Sequence, residues 1–211
     1  MKAIVIFGAS SGLGLAAVRY FSDQAIPVIG VARNPEKEPD LKSLCQTLIT
    51  CDATDKQSVE EAVGQLPKDA VVLSTMGSFR SDNPVDYIGH RYLVDALELN
   101  SIRRFVLVTS LGCGDSWQYL SERAKAGFGG AVREKSLAEA WLSSSSLDYT
   151  ILRPGGLKDG EVTEQGELSQ HVEVHGAIHR SEVARILHQL IPNDESIGQI
   201  YQCVDPTVSY Y

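Results

Sequence analysis

No apolar run in this sequence approaches the roughly 20 residues that a membrane-crossing helix needs. The first apolar stretch, Ala3-Ile4-Val5-Ile6-Phe7, is too short for a secretory signal and ends at Gly8. Neither export nor a membrane partner is therefore expected. Positive charge is also scarce: Lys and Arg number 19 against 27 Asp and Glu, a net charge of −8. That balance argues against a nucleic-acid partner, because phosphate contacts need clustered cations. Only four cysteines occur, Cys45, Cys51, Cys113 and Cys203, and no two form a C-x-x-C pair. Reduced thiols in a cytoplasmic protein are expected, rather than disulfides or zinc. No Pro/Gly/Ser-rich linker, repeat or low-complexity tract divides the 211 residues. One domain over residues 1–211 is expected, with a small substrate-side portion from about residue 154.

What is present is an alternation of β-rich runs and helical stripes. A first strand is predicted at residues 2–7, apolar from Ala3 up to Gly8, as in a strand buried on both faces. Further strands are predicted at residues 27–32, 48–51, 70–75, 104–109, 149–152 and 199–204. Helical spacing joins Leu13, Ala17, Tyr20 and Phe21, then residues 58–66 with Asp55 or Thr54 as cap. It recurs at Val85, Ile88, Tyr92, Ala96 and Leu97, at residues 132–143, and at Val183, Leu187, Leu190 and Ile191. The predicted fold class is α/β: one doubly wound parallel sheet with helices on both faces. Residues 112–130 and 158–177 lack periodicity and are expected to be functional loops.

The strongest chemical signal is Gly8-Ala9-Ser10-Ser11-Gly12-Leu13-Gly14, directly after a strand and opening a helix. Glycines allow a tight turn and a close backbone approach to a pyrophosphate, and the helix start adds oriented N–H groups. Gly8, Ser10, Ser11, Gly12, Leu13 and Gly14 are thus candidate cofactor-binding residues of a Rossmann-type domain. Arg33 follows the second strand, where Asp or Glu would meet a free ribose 2′-OH and Arg a 2′-phosphate. NADP(H) is accordingly preferred over NAD(H), the alternative being a solvated surface arginine. Asp52, with Ala53, ends the third strand and suits either the adenine amino group or a local turn. Thr75, Met76 and Gly77, at the end of the fourth strand, complete this part of the expected site.

With these residues the chain resembles the short-chain dehydrogenase/reductase superfamily over nearly its whole length. The matching segments are residues 8–14, Arg33, Cys51-Asp52-Ala53, Val108-Thr109-Ser110 and Leu147-Asp148-Tyr149-Thr150-Ile151-Leu152-Arg153-Pro154-Gly155. The last of these, with Ile178-His179-Arg180-Ser181-Glu182-Val183-Ala184, looks like the atypical NmrA-like branch that includes biliverdin reductase B/flavin reductase-type enzymes. The resemblance implies an NADP-binding Rossmann domain with the nicotinamide above the C-terminal strand ends. It also implies that Ser110 orients substrate or water and that Lys135 holds the cofactor ribose. Pro154, Gly155, Gly156 and Leu157 would bring backbone close to the nicotinamide.

One departure constrains the chemistry. The superfamily's proton donor is a tyrosine four residues before the lysine, and Ala131 stands there. Tyr119 is expected to be a substrate-loop residue first and a substitute donor second. Hydride delivery to an isolated ketone leaves an alkoxide that needs a positioned acid, whereas a conjugated acceptor spreads the charge and takes its proton from solvent. An NADPH-dependent reductase of a conjugated small molecule (a flavin, tetrapyrrole or quinone) is expected, as a monomer or small homo-oligomer. The alternatives are a non-catalytic NADP(H) sensor or assembly factor and, further off, a sugar-nucleotide epimerase or other carbonyl reductase.

Trp117, Tyr119 and Phe128 would face a flat acceptor, or else Trp117 and Phe128 anchor their loop. Ser110 could merely end a strand, and Lys135 with Glu139 could be a surface i,i+4 pair. His171, Glu173 and His175 would share one face of an extended segment, which could bind a metal. A solvated edge strand without metal is the preferred reading there. His179 is expected to cap or pack at the last helix.

Overall fold

Strand β1 (Ile4–Phe7) shows how the sequence builds the sheet. All four side chains are buried, because successive residues point to opposite faces and both faces are covered. Val5 and Phe7 enter one core layer, and Ile4 and Ile6 enter the other. The computed structural model describes residues 2–78 and 84–209. After β1 come α1 (Gly12–Asp23), β2 (Val28–Ala32), α2 (Leu41–Leu44), β3 (Thr47–Thr50), α3 (Lys56–Gly64), β4 (Val71–Ser74) and α4 (Ile88–Leu99). The second half contains β5 (Arg104–Val108), α5 (Glu122–Ser143), β6 (Asp148–Pro154), β7 (Gly156–Lys158), β8 (Glu167–Ser169), β9 (Ala177–His179), α6 (Arg180–Leu190) and β10 (Gln199–Val204).

Eight strands form one sheet in the order β3-β2-β1-β4-β5-β6-β10-β8, parallel except that β8 runs antiparallel to β10. Val59, Leu93, Leu97 and Leu142 from α3, α4 and α5 cover one face. Val18 and Phe21 of α1 and Val183 and Leu187 of α6 cover the other. This is the doubly wound Rossmann arrangement. The chain runs outward one way from β1 to β3 and the other way from β4, so a crevice opens at the carboxyl ends of β1 and β4.

Three expectations are corrected. Residues 112–130 are not irregular: a 3₁₀ turn covers Gly114–Tyr119, and α5 begins at Glu122 instead of near residue 132. Gly127, Gly129 and Gly130 hid that start, because glycine weakens helical propensity. Ser121 offsets this by accepting from Ala124 N at 3.2 Å as the N-cap. Residues 158–177 contain β8 and lead into β9, which pairs with β7 in a separate two-stranded parallel sheet. The segment from His171 to His175 is not extended either: His171 has a φ of 57° and the chain bends there. His175 Nε2 instead meets Glu173 at 2.8 Å in solvent. Among the described residues no group of His, Cys, Asp and Glu is arranged to hold a metal ion, and no helix is long and apolar enough to cross a membrane. All four cysteines are free thiols. Asp55 caps α3, accepting from Ser58 N at 3.1 Å.

Candidate active site

The crevice holds a cavity of about 630 Å³. Its floor is the turn between β1 and α1. Gly8 N donates to Val31 O at 3.0 Å, and Gly8 and Gly12 adopt φ values of +87° and +53° that disfavour side chains. Gly14 lies behind the turn, where a Cβ would fall 2.0 Å from Gly8 O. Its lack of a side chain lets α1 start directly beneath the loop. Ser11, the N-cap of α1, makes no side-chain capping bond. Ser10, Ser11, Gly12 and Leu13 line the cavity. The loop thus offers backbone N–H groups and a helix start to an anion.

Arg33, exposed just beyond β2, lines the same cavity, as do Asp52 and Ala53 after β3. Asp52 makes a local turn, since Oδ1 accepts from Thr54 N at 3.0 Å and Thr54 Oγ1 at 2.8 Å. These bonds hold its carboxyl below the usual range. Thr75, Met76 and Gly77 follow β4 along the wall. Ser110, Lys135, Pro154, Gly155 and Leu157 supply the other side. Gly156 is outside this lining and pairs with Ala177 between β7 and β9.

Lys135 and Glu139 do not form the surface pair. The Lys135 side chain is 15% exposed, and its Nζ lies 2.8 Å from Asp86 Oδ1 and donates to Met76 O at 3.4 Å. Burial alone would raise the Asp86 carboxyl, but Lys135 and the Ser78 N–H (2.9 Å) hold it below the usual range. Behind it His90 Nδ1 contacts Asp86 O at 2.6 Å and Nε2 contacts Ser74 Oγ at 2.8 Å. Burial, aided by the charge of Lys135, pushes the His90 pKa down to about 4. Glu139 receives Arg153 Nη2 at 2.7 Å and Thr109 Oγ1 at 2.6 Å, while Arg153 Nη1 reaches Asp115. Ser110 Oγ lies 3.6 Å from Cys113 Sγ. Burial raises the Cys113 thiol.

Trp117, Tyr119 and Phe128 lie outside the cavity lining. Trp117 takes Lys125 and Arg133 over its ring at 5.8 and 5.0 Å, and Phe128 is 44% exposed. His179 occupies the N-cap position of α6 without a side-chain capping bond, and its Nδ1 contacts Glu161 O at 2.9 Å. Sequence reasoning assigned no role to Asp86 or to Arg180, which also lines the cavity. Asp86 gave no signal, since its partner Lys135 is remote in sequence. Arg180 could have been found as a cation three residues ahead of Val183, where the stripe of the last predicted helix begins.

The family described as NAD(P)H-binding matches residues 8–194. ChuY, an anaerobillin reductase from Escherichia coli O157:H7, is 40% identical with both chains covered in full and a TM-score of 0.89. Sanguinarine reductase of Eschscholzia californica is 33% identical over 53% of this chain and 41% of its own length. A short-chain dehydrogenase/reductase from Veillonella parvula, solved in complex with NADP, shares the fold at 19% identity, with 99% of this chain and 97% of that one covered (TM-score 0.71). A glycine turn at the switch point, the cavity above it and these likenesses agree: the chain belongs to the NAD(P)H-binding family.

Proposed function

We propose that this chain is an NADPH-dependent reductase that passes a hydride to a conjugated small-molecule acceptor, with a linear tetrapyrrole as the first class to test. The observation that carries this reading is the make-up of the cavity. No tyrosine or histidine is among the described residues that line it, and Ala131 stands where the superfamily's acid would be. A lone carbonyl would find no positioned proton donor of the usual kind, whereas a conjugated acceptor disperses the incoming charge. The full-length likeness to an anaerobillin reductase points to the same chemistry.

The residues fit a dinucleotide, because the positive-φ glycines and the start of α1 present donors with no side chain in the way. A reduced nicotinamide supplies the hydride when bound. Arg33 is suited to the 2′-phosphate, which favours NADP(H) over NAD(H). Lys135, oriented by Asp86, is suited to the neighbouring ribose, and Ser110 to substrate or water. Pro154, Gly155 and Leu157 line the wall on the acceptor side. The protein works in the cytoplasm as a monomer or small homo-oligomer, with neither nucleic acid nor membrane as partner. Steady-state oxidation of NADPH with biliverdin, flavin mononucleotide and redox dyes tests the reading. Turnover is expected with at least one of them. Tight NADP+ binding with no turnover on any acceptor would instead favour a sensor.

A further inference from the structure

Two helices begin at the rim of this cavity. Gly12 is the first residue of α1 and Arg180 the first of α6, and both line it. The helices pack side by side, with His188 of α6 edge-on to Tyr20 and Phe21 of α1. Each contributes the partial positive charge of a helix start. Arg180 Nε lies 3.9 Å from the position a Cβ on Gly12 would take. That nitrogen is buried and has no hydrogen-bond partner among the described residues. Only one corner of the guanidinium is engaged, Nη1 donating to Asp159 Oδ1 at 2.7 Å. Asp159 is 93% exposed and sits on the solvent flank. A buried donor without a partner is costly, so it marks a place where an acceptor belongs.

Given that the cleft takes a dinucleotide, we infer that Arg180 is a ligand of the cofactor's diphosphate, closing from α6 the anion site that α1 opens. The guanidinium offers donors in a fixed fork, which suits phosphoryl oxygens. Arg33 and Arg180 are the two guanidinium groups in the described lining, and they divide the recognition. Arg33 meets the phosphate that distinguishes NADP+ from NAD+. Arg180 meets the group the two cofactors share.

Calorimetry with three probes separates these roles. Arg180→Gln should bind NADP+ and NAD+ each about tenfold to a hundredfold more weakly, with 2′-AMP, which lacks a diphosphate, unchanged. Arg33→Ala should weaken NADP+ and 2′-AMP and leave NAD+ unchanged. On the wild-type protein, arginine-selective dicarbonyl labelling mapped by mass spectrometry gives a second reading. NADP+ should protect both arginines and 2′-AMP only Arg33. Unchanged NADP+ affinity in Arg180→Gln, a loss that includes 2′-AMP, or no protection of Arg180 by NADP+ would overturn the assignment. So would an effect confined to the KM of the acceptor. If the wild-type protein bound neither NADP+ nor 2′-AMP, the cofactor reading itself would fail.

Discussion

The two sides of the cleft are held by different forces. On the β1–β2 side, shape does the work: apolar strands buried on both faces and a glycine turn pressed against the start of α1. The charges that line the cleft there, Arg33 and Asp52, stand at the rim and pin no core. On the β5–β6 side, charge does it. Arg153 and Glu139, each about 95% buried, join β6 to α5, and Lys135 of α5 reaches Asp86 ahead of α4. Glu182 of α6 is fully buried, pairs with Arg185 and accepts N–H groups of Thr163, Glu164 and Gly166. Shape tolerates changes of surface charge. Buried charge is brittle, because removing one partner strands the other.

The sharpest way to break this contrast is Glu139→Ala. Arg153 keeps only Asp115, at the solvent edge, and Thr109 loses its acceptor. Urea unfolding should show a loss of about 3–5 kcal/mol. A loss below about 1 kcal/mol would mean the charged side is no more brittle than the other. On the shape side, Gly14→Ala drives a methyl into the Gly8 carbonyl, so backbone must move. A cost of about 3 kcal/mol is expected, together with weaker NADPH binding. A stable, fully binding Gly14→Ala protein would show that the turn is looser than its contacts imply. By contrast Arg33→Ala should leave stability within about 0.5 kcal/mol and weaken NADPH about tenfold or more relative to NADH. Equal weakening of both would remove the 2′-phosphate assignment.

The same contrast explains what could be read in the sequence. The β1–β2 side was legible because its determinants are local: an apolar run, glycines at fixed offsets, and one arginine at a strand end. The sheet was legible for the same reason, including β3, although its half-exposed pattern weakened its signal; the short strands β7, β8 and β9 were not. The charged side was not. Lys135 and Glu139 are four residues apart, a spacing that suggests mutual pairing. Their partners, Asp86 and Arg153, are brought in by the fold from 49 residues before Lys135 and 14 residues after Glu139. The glycines of α5 disguised a helix that its cap and packing hold in place.

His90 lies on the seam between the two sides and gives the smallest effect. It joins Ser74, at the end of β4, to Asp86 beneath Lys135. In the unfolded chain its imidazole titrates near 6.5, and in the folded protein burial and the Lys135 charge push it down to about 4. Between these values the unfolded state binds a proton that the folded state does not, so acidification favours unfolding. The stabilisation is fully present above pH 6.5 and is lost as pH falls from there toward 4. Between pH 7 and 5.5 the loss should be about 1 kcal/mol. Asp52, Asp86 and Glu182, whose carboxyls are held low, lose their contributions only further into acid and leave this window nearly clear. His90→Gln, which retains donor and acceptor atoms, should flatten the pH 7 to 5.5 change by that amount in urea titrations. An identical pH dependence in the variant would place the seam with the shape-held side, indifferent to protons.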